Sequence, residues 1–398
     1  MNVEQPLLGR RGTLLLLVAL GTFPPLSIHL YLPALPQMAE TFATTPPVVN
    51  LTLGAHMVAF AIAMLFWGPL SERTGRKPIL LTALALYITA SLLCALSQTI
   101  EALIAFRILQ GFAGGGVTVI GTTIVKDIFD GPARERALAL VMSMVIIAPM
   151  TAPVLGAFLL SVASWQALFL LLALFGCAAS LLVVLFRETL PEKSTGPLLR
   201  AWGRLGVVLA NPRFTYLLLT FSLSPMCLMA FVGTAVYIYI DGFGLSEQAF
   251  SLIFGANALF AIIGPSLYLR LRRVLAGPTI ILGAFTGMTL AGVAMLLFGH
   301  VSPFVFAAIA ATCTTCVIVV RVPGTNLLLD QQSRDIGSAA GLIQFGATIM
   351  GASAVQIVPA LSPDLITNYA CLLIAVGATC SLLWLCVRRR PFVTGKGP

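Results

Sequence analysis

Apolar runs long enough to cross a bilayer, for which about 20 residues suffice, recur from one end of the chain to the other. They fall near 13–35, 49–70, 79–98, 102–125, 137–161, 165–187, 213–239, 247–269, 278–299, 302–326, 336–360 and 366–387. Short polar clusters separate them, so the pattern predicts an all-α membrane protein of twelve transmembrane helices. Arg10 and Arg11 ahead of the leucine run at 14–20 imitate the start of a secretory signal, but the apolar stretch outlasts a signal's core and no A-x-A site follows. The first run is expected to persist as an uncleaved span.

Composition agrees. Of 398 residues 59% are hydrophobic and 9% charged, where a soluble domain carries about 25% charged, so a soluble globule is excluded. The net charge of +9 would fit nucleic-acid binding, but its placement argues otherwise. With the N-terminus inside, every Lys and Arg except Arg107 and Arg321 falls on the inner side, while the outer loops hold only Glu40, Glu101, Asp241, Glu247 and Asp364. One span more or fewer would reverse the sign of every later loop, so the bias reports topology, with both termini cytoplasmic. The eight cysteines all lie in apolar runs and read as small hydrophobes. Cys313 and Cys316 form a CxxC without a second pair, so neither metal nor cofactor is implied.

The longest interior break, 188–212, carries a basic amphipathic piece at 200–209 and separates six spans (1–187) from six (213–398). Gly68-Pro69 with Arg76-Lys77 after span 2 is echoed by Gly264-Pro265 with Arg272-Arg273 after span 8. Two repeated six-helix halves are a transporter architecture, with substrate expected between them near the midplane.

Specific motifs narrow this. Gly68-Pro69-Leu70-Ser71-Glu72-Arg73-Thr74-Gly75-Arg76-Lys77 resembles the loop 2–3 motif of the major facilitator superfamily, with Glu72 in place of the usual Asp. Its glycines are expected to allow a tight turn at the membrane face, and its acid to pair with bases across the interface of the halves. Arg107-Ile108-Leu109-Gln110-Gly111 is similar to the family's R-x-x-Q-G signature, where an intramembrane arginine faces a cavity or partner. Ala148-Pro149, Ala152-Pro153 and Gly156-Ala157 resemble the Pro/Gly-rich antiporter motif, whose small residues permit close approach and a bend that seals the outer gate. Tyr31-Leu32-Pro33-Ala34-Leu35-Pro36, and more loosely 323–329 with Asn326, resemble the Bcr/CflA branch of bacterial drug-resistance exporters. The resemblance covers the whole chain. It implies a monomeric inner-membrane exporter of small molecules, working by alternating access with proton antiport, and gating roles for Gly68, Glu72, Arg73, Gly75, Arg76, Pro149, Pro153 and Gly156.

One departure matters. Where that branch usually has an aspartate, as partner of the span 4 arginine and proton carrier, this chain has His29, and none of its 14 acids lies in the middle of a span. At 1.5 Å per residue, His29, His56 and Arg107 all sit about 8–10 Å below the outer face. Histidine titrates nearest neutrality, so proton coupling is expected to run through His29, with His56, Arg107 and Gln110 beside it, unless His56 is simply a packed core residue. His300, at the outer end of span 9, reads as a solvated loop residue. Arg321, near the inner end of span 10, serves as a snorkelling side chain or a gate.

A cavity without a buried acid, offering Tyr31, Tyr237, Asn257 and Gln344 as neutral polar groups, favours neutral, zwitterionic or anionic amphiphiles over quaternary ammonium compounds. A dedicated metabolite or siderophore exporter, or an uptake symporter, remains the alternative; a non-transporting sensor is more remote. No HExxH, paired intramembrane aspartates or G-x-S-x-G appears, so an enzyme is not expected.

Overall fold

The computed structural model describes residues 5–129, 131–190, 198–332 and 336–394. Among them all regular structure is helical. The first unit, Met1–Trp202, contains α1 (Gly9–His29), α2 (Leu35–Thr41), α3 (Pro46–Thr74), α4 (Arg76–Ala95), α5 (Ile100–Ile128), α6 (Gly131–Leu160) and α7 (Gln166–Leu185). The linking helix α8 (Leu198–Leu209) covers the amphipathic piece expected at 200–209. The second unit, Gly203–Pro398, holds α9 (Pro212–Leu223), α10 (Pro225–Tyr237), α11 (Glu247–Leu271), α12 (Gly277–Phe298), α13 (Pro303–Leu329), α14 (Ile336–Leu361), α15 (Leu365–Val387) and the short α16 (Pro391–Thr394).

Among the described residues eleven stretches are long and apolar enough to cross a membrane, and the expected fifth span coincides with α6, in which Ile147–Leu160 forms a shorter apolar stretch. The seventh span is not one helix. Pro225 lacks the N–H that would continue α9, so the chain restarts as α10 and ends in a π-helical turn, Ile238–Gly242. Five helices begin at polar caps: Thr99, Asn211, Ser246, Ser302 and Asp364 each accept a backbone N–H of the first turn. Asp364 also accepts from His300 at 3.1 Å, and the histidine read as a solvated loop residue is half-exposed there.

The turn expected of the loop 2–3 glycines is made by one of them. Gly68 lies inside α3, and the break falls at Gly75, whose φ of +121° belongs to glycine. A Cβ on Gly75 would also press 2.7 Å from Glu188 Oε2.

Lipid gives helices no hydrophobic reason to associate, so close backbone approach has to supply the attraction. In the first unit α5 packs along α3 through Gly111 and Gly115, one turn apart, which lie against the carbonyls of His56 and Phe60, themselves one turn apart on α3. A Cβ on Gly115 would stand 2.5 Å from the Phe60 oxygen. Gly156 plays the same part between α6 and α1, where a side chain would overlap the Leu30 carbonyl. Gly156→Ala is therefore expected to cost about 1–3 kcal/mol, read as a lower midpoint of thermal unfolding in detergent. Gly206→Ala on α8, where a Cβ meets nothing within 4 Å, should leave the midpoint unchanged or slightly raised.

Candidate functional site

Arg107 is the residue around which the first unit is built. It stands on α5 with 0% of its surface exposed. Its Nε donates to the Thr52 carbonyl on α3 at 3.2 Å, Nη2 to the Ser27 carbonyl on α1 at 3.0 Å, and Nη1 to Gln110 Oε1 one turn along its own helix. Gln110 Nε2 donates to Ser91 Oγ on α4 at 2.7 Å, Ser91 donates to the Tyr87 carbonyl, and the Tyr87 and Ser27 hydroxyls meet at 2.5 Å. The chain of bonds thus returns to Ser27. Beneath the guanidinium lies the ring of Tyr31, 4.5 Å from Cζ, with Phe169 of α7 at 5.8 Å.

No carboxylate takes part. Arg107 binds a carbonyl in the last turn of α1, where the helix dipole is negative, a carbonyl of α3, a side-chain amide and two aromatic faces. A buried charge in a membrane is tolerated when its donors are met, and here the backbone meets them. This corrects the expectation that Arg107 lines a cavity: it is enclosed, and Gln110 and Tyr31 are enclosed with it. His56 joins through Nδ1, 3.3 Å from the Arg107 carbonyl, so the contact is with the backbone and not with the charge. His29 is the last residue of α1, two positions beyond Ser27, and is 7% exposed.

The substrate candidates of the second unit stand on three different helices. Tyr237 is buried at the end of α10. Asn257 on α11 donates to Thr314 Oγ1 on α13 at 3.2 Å. Gln344, half-buried on α14, bonds Thr348 one turn on.

The basic end of the first unit carries a second cluster, centred on Arg76 rather than Glu72. Glu72 and Arg73 are exposed, whereas Arg76 is buried, with Nε 3.1 Å from Asp127 Oδ2 and Nη1 2.6 Å from Ser71 Oγ. Glu188 caps α4: its two oxygens accept the amides of Arg76 and Lys77, both at 3.0 Å, and one also accepts those of Thr189 and Leu190. A carboxylate on the first amides of a helix sits at the positive end of its dipole. Gln5 completes the end, exchanging two hydrogen bonds with the Arg187 backbone at 3.0 and 2.7 Å. Asp127, Glu188 and Gln5 were missed because each is more than 50 residues from its partner. The pairing of Gly111 with Gly115, a small-x-x-x-small spacing, was visible in the sequence and overlooked.

The sequence profile described as Major Facilitator Superfamily matches residues 16–355. The chain belongs to the major facilitator superfamily. It is similar to YdgK, an uncharacterized MFS-type transporter of Bacillus subtilis (strain 168), with 31% identity over 84% of this chain and 85% of the relative. It is also similar to the multidrug resistance protein MdtL of Klebsiella pneumoniae subsp. pneumoniae, with 28% identity over 71% and 76%. Among solved structures it shares its fold with a D-xylose-proton symporter, with a TM-score of 0.71, 12% identity and coverage of 92% and 96%. A POT family transporter in complex with 5-aminolevulinic acid gives a TM-score of 0.72, with 15% identity and 97% coverage of each chain. This superfamily member is a membrane transporter, not an enzyme.

Two outcomes are expected of it. Arg107→Lys keeps the charge but loses the fork that reaches α1, α3 and Gln110 together, and with hydrogen bonds to a charged group worth about 1.5–3 kcal/mol each, it should lower the unfolding midpoint clearly. Glu188→Ala removes the cap of α4 at about 1 kcal/mol, and limited proteolysis should then cut more readily after residue 187.

Proposed function

We propose that this chain is an exporter of the Bcr/CflA branch, acting from the bacterial inner membrane with both termini cytoplasmic, by alternating access and at the expense of a proton gradient. Its substrates are neutral, zwitterionic or anionic amphiphiles. The observation that carries this reading is the sorting of charge: all acids lie outside the middle of the spans, while Arg107 and Arg321 lie within them. A lipophilic cation would find no counter-charge there. The multidrug resistance name of the MdtL relatives supports export, and the Tyr31 to Pro36 and R-x-x-Q-G motifs support the branch.

Proton coupling is assigned to His29. Arg107 is already satisfied by neutral acceptors, and His56 is held by the Arg107 carbonyl, whereas His29 ends α1 at the break before the 3-10 turn Leu32–Ala34. Histidine is the side-chain type whose unperturbed titration lies nearest neutrality.

In proteoliposomes with an imposed pH gradient, a neutral and an anionic amphiphile should be moved in preference to a cation of matched size, and His29→Ala should flatten the dependence on the gradient. Preferential transport of the cation would refute the charge argument. Gradient-driven transport that His29→Ala leaves intact would remove His29 from the coupling.

A further inference from the structure

The sequence echo between Arg76-Lys77 and Arg272-Arg273 marks one corner in each unit, and the two corners are finished differently. In the first unit the corner joins the break at Gly75, the start of α4 and the exit from α7. Its charges are answered from within: Asp127 holds Arg76, and the Glu188 carboxylate accepts the first amides of α4. In the second unit the corner joins the break between α11 and α12 to the exit from α15. Trp384 Nε1 donates to the Pro278 carbonyl in the first turn of α12 at 2.9 Å, and one turn beyond Trp384 the Arg388 amide closes α15 on the Trp384 carbonyl. Arg388-Arg389-Arg390 therefore comes out at the end of α12 that Arg272 and Arg273 precede.

Here the acids are missing. Where the first unit has Glu188 after α7, the second has three arginines after α15. Asp330, placed after α13 much as Asp127 is placed at the end of α5, is exposed and forms no ion pair among the described residues. The start of α12 is itself the positive end of a helix, and Ala276 caps it without a side-chain acceptor. The Arg272 guanidinium lies across it: Nη1 is 3.6 Å from where a Cβ of Gly277 would stand and 3.5 Å from the Leu275 carbonyl. Cations are favoured at the opposite end of a helix, so this corner gains from an anion, and Arg272, Arg273 and Arg389 are all exposed to one. Its outer surface is apolar as well. Val274, between the loop arginines and α12, is 84% exposed, and Leu275 and Leu385 are exposed beside it. A soluble anion gains nothing from such side chains, whereas a phospholipid brings a phosphate and acyl chains together.

We propose that this corner of the second unit is a docking surface for an anionic phospholipid. Arg272 and Arg273 from the α11–α12 loop and Arg388 and Arg389 from the end of α15 take its phosphate, supplying from the bilayer the counter-charge that Glu188 and Asp127 supply from within in the first unit. Arginine suits the task because its planar fork matches two phosphate oxygens.

The test uses the full chain, delipidated in detergent, with native mass spectrometry reading the apparent Kd of the first lipid bound. Dioleoylphosphatidylglycerol, which carries a net negative charge, is set against dioleoylphosphatidylcholine, whose head is neutral overall. The wild type should bind the glycerol lipid at least about tenfold more tightly. Arg272→Gln with Arg273→Gln, and separately Arg388→Gln with Arg389→Gln, should each remove most of that preference while binding of the choline lipid survives as the control for folding. Arg10→Gln with Arg11→Gln, which takes two exposed arginines from the first unit, should leave the preference in place. A wild type that does not distinguish the lipids, or equal losses from all three pairs, overturns the proposal; the second result would mean attraction to basic residues at large. Inorganic phosphate equimolar with the lipid should not displace it, and displacement would assign the corner to a soluble anion and overturn the lipid.

Discussion

A permanent positive charge is enclosed within the first unit, and no acid answers it. The solution at Arg107 is to use the helices themselves as the counter-charge. The last turn of α1 leaves carbonyls without intrahelical partners, and Nη2 takes the one at Ser27, while Thr52 on α3 and Gln110 take the other sides of the fork. Each acceptor comes from a different position along the fold, so the guanidinium is satisfied only when α1, α3 and α5 have assembled in one arrangement. Breaking any of these contacts would expose a buried charge, which costs far more than the contact itself contributes. The specificity of the first unit rests on that constraint.

The remaining features of the unit are consistent with it. Gly111 follows Arg107 by four residues and brings α5 against the His56 carbonyl; a larger residue would push α5 away from α3 and pull the guanidinium off Thr52. Gly156 seats α6 against Leu30, one residue past the end of α1 that Arg107 holds. Glu188 and Asp127 fasten the basic end by the same logic, with an acid placed on amides or on an arginine that would otherwise be buried without a partner. The second unit is held differently. Its center is aromatic, with Phe231, Phe254, Phe306, Tyr239 and Tyr369 in mutual ring contact.

The family motifs therefore mean something different here from what their spelling implies. R-x-x-Q-G reads as a cavity signature, yet Arg107, Gln110 and Gly111 each have a packing or hydrogen-bonding task that faces inward within one unit. In the loop 2–3 motif, Gly75 and Arg76 act while Gly68 is an ordinary helical residue and Glu72 is exposed.

The sequence alone determined the transmembrane pattern, the repeated six-helix plan and the family, because burial in lipid demands long apolar runs and the spacing of a motif is local. It also determined that the spans hold bases and no mid-span acid, since a census of charged residues needs no coordinates. It did not determine how its buried polar and charged groups are met. That depends on carbonyls at Ser27 and Thr52, which every residue possesses and no sequence distinguishes, and on partners such as Glu188 or Thr314 that lie far away along the chain. Only the tertiary structure brings the end of α1 to the Arg107 guanidinium, and so only it could show that this arginine holds the fold rather than lining a cavity.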